Sequence, residues 1–170
     1  MNRLRGDDVR ALLDYEPESG VFRWRYRDGA PKQWNVRYAG RVAGLVTDLG
    51  YRTIAIHGRP YRANRLAWLV MTNEWPAGVV DHINGHKSDD RFSNLRDVSK
   101  TVNGQNQRTA TRKNRSTGLL GATFDKRKQK FRADISVNGK AKHIGYYDTA
   151  MEAHLAYIER KRELHEGCAI

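Results

Sequence analysis

The chain contains one cysteine, Cys168, which excludes an internal disulfide and any cage of several cysteines around zinc. It has no run of about 18 apolar residues, the length a membrane-spanning helix needs, and no basic helix with a broad apolar face suited to a membrane surface. Residues Met1-Asn2-Arg3-Leu4-Arg5-Gly6-Asp7-Asp8 lack the apolar stretch of a secretory leader, so a cytoplasmic location is expected. Paired histidine ligands are missing too. Of six histidines only His82 and His86 stand close in sequence, and Gly85 beside His86 favours a turn over the helical face that binds zinc. His86, and His57 next to Gly58, read as solvated loop residues.

Acidic charge is the scarce sign. Asp and Glu number 19 against 31 Lys and Arg, a net charge of +12, beyond what solubility asks of a small domain. The excess is concentrated: Arg96, Lys100, Arg108, Arg112, Lys113, Arg115, Lys126, Arg127, Lys128, Lys130 and Arg132 are opposed within their stretch only by Asp97 and Asp125. A phosphate backbone rewards such a stripe through release of its counterions, and double-stranded DNA is the expected partner. The bland alternative is a solvated charge run.

What is present centres on residues 79–106. Val79 and Val80 are β-branched and predict a short strand carrying Asp81 and His82; Asn84-Gly85 is a tight-turn signal; Ser99 is a candidate N-cap for a helix from about Lys100 to about Gln107. Strand neighbours point to opposite faces, so Asp81 and His82 have different tasks. A hard ion such as Mg²⁺ takes one or two protein oxygens plus phosphate and water, which the Asp81 carboxylate and the Asn103 amide oxygen can supply. Histidine ordinarily titrates at about 6.5, which suits His82 for taking a proton from water.

Asp81-His82, Asn94-Leu95-Arg96 and Asn103 together resemble an HNH endonuclease of the His-Asn-Asn kind, the intron- and phage-encoded homing nucleases. The likeness runs from Leu12-Leu13-Asp14-Tyr15 to Asn106-Gln107-Arg108. It implies a ββα-metal core at about 62–108, with Asp81 and Asn103 as ligands of one Mg²⁺ or Mn²⁺, His82 as general base and Asn94 as the brace of the site loop. Two positions depart from the family: Asn64 stands where a His is usual, and Asp89-Asp90-Arg91 where Asp-Asn-Arg is usual.

A second pattern follows the polar stretch Gly104–Gly118, which reads as a linker or a backbone-tracking segment. Phe131, Ala133, Ile135 and Val137 alternate with Arg132, Asp134, Ser136 and Asn138, and Asn138-Gly139 is a strong hairpin signal. Thr149 with Glu152 has capping-box spacing, opening a helix with Ala150, Ala153, Ala156, Tyr157 and Leu164 at helical intervals. This part resembles the ethylene-response-factor, Apetala-type DNA-binding domain, with Phe131 in place of the family's usual Trp. That likeness implies a three-stranded antiparallel sheet in the major groove backed by one helix, with Arg115, Lys126, Arg127, Lys128, Lys130, Arg132 and Lys142 toward DNA.

The opening residues predict a short amphipathic helix with Val9, Leu12 and Leu13, a turn at Pro17–Gly20, and a strand in which Phe22, Trp24 and Tyr26 alternate with Arg23, Arg25 and Arg27. This strand could clamp DNA or cover the nuclease sheet. The expected whole is an α+β chain of two domains: 1–112, N-terminal strands plus nuclease, and 113–170, a DNA reader. The expected activity is homing-type hydrolysis of DNA by a monomer in a bacterial host cell, nicking to leave a 5′-phosphate and a 3′-hydroxyl. The rival is a DNA-binding regulator with a decayed nuclease module.

Overall fold

A computed structural model describes residues 4–112 and 114–170. Met1, Asn2 and Arg3 of the leader reading and Lys113 of the basic stripe lie outside the described residues. The chain is of mixed α and β type with small antiparallel sheets, and it divides into two compact units, Met1–Val98 and Ser99–Ile170.

The first unit opens with α1 (Gly6–Leu12), whose first turn carries Asp7 and Asp8, the sign the positive end of a helix favours. Leu13, expected at the end of this helix, instead begins a strand with φ −137° and keeps its buried place there. β1 (Leu13–Glu16) and β2 (Val21–Trp24) form an antiparallel hairpin. The expected alternation stops at Trp24. Tyr26 is exposed, and the Arg27 guanidinium lies on the ring of Trp34, 4.0 Å from its centroid, so aromatic–cation stacking replaces strand pairing there. Trp34 belongs to α2 (Lys32–Tyr38).

Next come β3 (Leu45–Val46), β4 (Arg52–Ile56) and β5 (Arg59–Arg62), an antiparallel sheet in that order. His57 and Gly58 turn β4 into β5, both with positive φ, and His57 is exposed as expected. α3 (Ala63–Thr72) buries Ala63, Leu66, Ala67 and Leu69, the spacing of one helical face. β6 (Val79–His82) and β7 (Leu95–Val98) pair antiparallel. A single core joins Val9, Phe22, Ile54, Leu66, Val80 and Leu95, so the strand that carries Asp81 and His82 is anchored through Val80.

The second unit starts with α4 (Lys100–Gln105), capped by Ser99, whose hydroxyl accepts from Val102 N at 3.2 Å. β8 (Ala122–Asp125), β9 (Lys130–Val137) and β10 (Lys140–Tyr147) form an antiparallel sheet in the order β10-β9-β8. α5 (Ala150–Leu164) has the expected capping box of Thr149 and Glu152 and packs Ala153 on Ala122 and Ala133. Small side chains permit this approach. Gly121 goes further: its φ is +75°, and a Cβ there would fall 2.0 Å from the Tyr157 ring. Asn138 and Gly139 both take positive φ, the requirement of a two-residue type I′ hairpin.

The expected boundary after Arg112 and the division at Val98/Ser99 differ for a visible reason. Gly104–Gly118 is not a loose linker at its start: Lys161 donates to Gln107 O, Arg108 to Ala169 O, and Gly167 N to Gln105 Oε1 at 3.0 Å. These bonds tie the end of α4 to the C-terminal segment.

Candidate active site

In β6 the register sets Asp81 opposite Arg96 and His82 opposite Leu95. Asp81 Oδ2 accepts from Arg96 Nε at 3.0 Å and Nη2 at 2.9 Å. His82 Nε2 lies 3.0 Å from Asp90 Oδ1, with His82 4% and Asp90 2% exposed. Adjacent residues therefore have separate partners, as strand alternation requires. Asp90 Oδ2 is buried without a hydrogen-bond partner. The backbone of Asp90 is fixed from the N-terminal hairpin: Tyr15 donates its hydroxyl to Asp90 O at 2.7 Å, and a Cβ on Gly20 (φ +72°) would fall 2.4 Å from the Asp90 carbonyl carbon. Phe92 N donates to Pro17 O at 3.1 Å. The N-terminal hairpin thus packs on the segment that presents Asp90 to His82. Burial and the nearby carboxylates of Asp90 and Asp89 push the Tyr15 phenol well above its usual range, so it stays a donor.

Asn84-Gly85 turns the chain directly after β6, with Gly85 N on His82 O at 2.8 Å, but it does not join the two strands; residues 83–94 form a longer loop. Hydrogen bonds replace a tight hairpin there. Asn94 Nδ2 donates to Asp89 O at 2.8 Å and Asn84 Oδ1 at 3.0 Å, while its Oδ1 accepts from Asn84 N at 2.9 Å. Asp89 takes a fork of two bonds from Arg91, 2.7 and 2.6 Å, and one from Asn84. Arg91 and Asn84 hold the Asp89 carboxyl at about 2, below the usual carboxylate range. His86 is exposed in this loop. Asn64, where the family has His, is buried on α3 and donates to Val80 O at 3.0 Å, a bond from α3 to the site strand.

Asn103 lies on α4, in the second unit. Among the described residues no three His, Cys, Asp or Glu side chains gather as a metal cluster. The Asp81 carboxylate suits a hard cation that keeps most of its waters and does not suit a closed zinc cage.

The basic residues of the second unit fall into distinct settings. Lys126, Arg127 and Lys128 are exposed at the β8–β9 turn, where Asp125 Oδ1 accepts from Arg127 N at 2.9 Å and Lys128 N at 3.1 Å. Lys128 Nζ lies 4.1 Å from the Tyr146 ring centroid. Lys130 pairs with Asp148 at 2.9 Å and Arg132 with Asp134 at 2.5 Å. Such exposed pairs are weak, and a phosphate can replace the carboxylate. Lys142 differs: its register partner is Ile135, so it stands on the helix side of the sheet, away from Arg132. Arg115 is exposed.

Sequence reasoning missed the pairing of Asp90 with His82 and the part of the N-terminal hairpin in it. The available signal was the acid at position 90 itself, a departure from the family pattern.

Residues 61–105, which span the end of β5, α3, β6, β7 and all of α4, match the HNH endonuclease family. This defines an HNH endonuclease domain, a class that acts on DNA and generally depends on a divalent metal. The chain is also 31% identical over 100 residues to Protein 3.8 of Escherichia phage T7, the match covering 58% of this chain and 79% of that protein. It belongs to the family of that phage protein. No solved structure matches it. Among the described residues no helix is long and apolar enough to cross a membrane.

Proposed function

We propose that the chain is a metal-dependent DNA endonuclease that hydrolyses a phosphodiester to a 5′-phosphate and a 3′-hydroxyl. The observation that supports this reading most is the buried His82–Asp90 pair next to Asp81. A neutral imidazole donates through one nitrogen and accepts through the other. With Nε2–H given to Asp90, Nδ1 carries the lone pair and takes the proton of the water that attacks phosphorus. The departing 3′ oxygen takes a proton from solvent to become the 3′-hydroxyl, and His82 returns the proton it took to solvent.

Asp81, steadied by Arg96, and Asn103 are the residues that would hold Mg²⁺ or Mn²⁺. When bound, such an ion stabilises charge on the phosphate and on the leaving oxygen. Asn94 keeps the 83–94 loop closed on itself and so fixes the direction of His82.

The finer reading is a homing-type enzyme that nicks one strand as a monomer. In this reading the second unit is an Apetala-type reader of double-stranded DNA, with Arg115, Lys126, Arg127, Lys128, Lys130 and Arg132 as its contacts; Lys142, on the opposite face of the sheet, is not among them. The rival, a regulator with a decayed nuclease, draws on Asn64. The Asn64–Val80 hydrogen bond supports an intact scaffold instead. Supercoiled plasmid incubated with the protein, with and without Mg²⁺, tests the proposal: nicked circles form only with metal. DNA that is bound but left supercoiled at every metal concentration would establish the regulator.

A further inference from the structure

We infer that Arg62, Tyr51 and Lys87 form a seat for a DNA backbone phosphate flanking the one that is cut; this rests on the nuclease reading and names a substrate contact within it. Tyr51 stands just before β4, and its ring centroid is 6.0 Å from that of His82, at 47°. Arg62, at the end of β5, sets its guanidinium carbon 4.2 Å from the Tyr51 centroid, and Lys87, in the loop after β6, sets Nζ 5.1 Å from it. Two cations from different elements meet at one ring beside the imidazole.

Their positions are held. Arg62 pairs in register with Thr53 of β4. Lys87 Nζ donates to Leu49 O at 3.2 Å, and its stem passes Gly50, where a Cβ would lie 3.6 Å from Cδ. Tyr51 O in turn accepts from Thr47 N at 2.9 Å.

Their charge is uncommitted. Around the site Arg96 serves Asp81, and Arg91 serves Asp89. Among the described residues neither Arg62 nor Lys87 has a carboxylate within ion-pair distance, and both are exposed. Two exposed positive charges gathered at one ring lack an anion.

The chemistry that completes it is a phosphodiester. Guanidinium matches phosphate through a fork of N–H donors, and ammonium adds a point charge. The ring distances place the Arg62 guanidinium within about 10 Å of the imidazole. A DNA strand advances about 3.4 Å per nucleotide, so a phosphate seated there is within about three nucleotides of the one attacked at His82. Free inorganic phosphate presents the same oxygens, and the two sources are separated below.

The test measures binding of the full chain to a labelled duplex in EDTA, where cutting does not interfere, across a salt series. Removing one phosphate contact makes the slope of log K against log salt shallower by up to about 0.9. Arg62→Ala and Lys87→Ala are each expected to do so in part, and the double variant by up to about 0.9 in all, because both serve one phosphate, with unchanged melting and with cleavage lost mainly through KM. Tyr51→Phe keeps the ring and the slope; Tyr51→Leu weakens binding without removing a charge. A double variant with the wild-type slope, beside a wild type that binds and cuts, overturns the phosphate seat alone. A wild type that neither binds nor cuts overturns the nuclease reading. In a second arm, inorganic phosphate is titrated against the wild type at constant ionic strength: saturation that depends on Arg62, with a DNA slope that does not, assigns the seat to the free anion and overturns the DNA contact.

Discussion

Replacing Asp90 tests the site where sequence and fold meet. In Asp90→Ala the buried Nε2 of His82 loses the acceptor 3.0 Å away, and with both residues almost fully buried water cannot readily take its place. A hydrogen bond to a charged group is worth about 1.5–3 kcal/mol, and a buried donor left unmet costs about 1–3 kcal/mol. Against this, Asp90 Oδ2 is itself buried and unpartnered, so removing the carboxylate recovers part of a desolvation cost. The balance is a loss of about 1–2 kcal/mol, which for a unit of this size lowers the unfolding midpoint by about 4–16 °C. The larger effect falls on chemistry. Without Asp90 the imidazole loses the acceptor that selects its tautomer, and a base in the wrong tautomer forfeits most of its worth, which for general base catalysis is about 10²- to 10⁴-fold. Asp90→Ala should therefore cut plasmid at least about 10²-fold more slowly at a temperature well below its midpoint. Asp90→Asn keeps an acceptor oxygen at the same place and should retain most of the stability and an intermediate rate. Thermal unfolding by circular dichroism and a nicking time course read both quantities. Asp90→Ala that melts and cuts like wild type would refute the argument, since neither the hydrogen bond nor the orientation would then matter.

His82→Ala should lower cleavage by about 10²- to 10⁴-fold while DNA affinity in EDTA stays near that of the wild type; equal cleavage would remove His82 from the reaction. Asp81→Ala and Asn103→Ala should weaken or abolish the response of rate to Mg²⁺, Asp81 more severely because it brings the formal charge, and full activity in EDTA would refute a metal-dependent mechanism. Asp89, held at about 2 by Arg91 and Asn84 against an ordinary 3.8, is lowered on folding, so its contribution is complete above about pH 4 and is lost as pH falls through about 2. Asp89→Asn should flatten that part of the acid-unfolding curve, and an unchanged curve would show that the fork to Arg91 adds nothing. Lys128→Ala or Lys130→Ala should make the salt dependence of DNA binding shallower by up to about one unit each, an effect that would be absent if the second unit did not meet the backbone.

The sequence by itself determined what depends on near neighbours. The alternation at Phe131–Val137, the positive-φ pair Asn138-Gly139, the Ser99 cap and the Thr149–Glu152 capping box all appear where the residues call for them, because each is decided within a few bonds of backbone. Val79-Val80-Asp81-His82 is a strand for the same reason, and the hydrogen bonds of Asn94 to Asn84 and Asp89 stay within one loop. Only the tertiary structure decided the rest. Tyr15 reaches the Asp90 carbonyl across 75 positions of sequence, and Asn64 reaches Val80 across 16. No local pattern encodes such meetings; they follow from which apolar faces share the core, and the polar groups then pair with whatever that packing brings beside them. The same cause ended the N-terminal strand at Trp24, where Arg27 stacks on Trp34, and turned Lys142 to the helix side, where its register with Ile135 outweighs its charge.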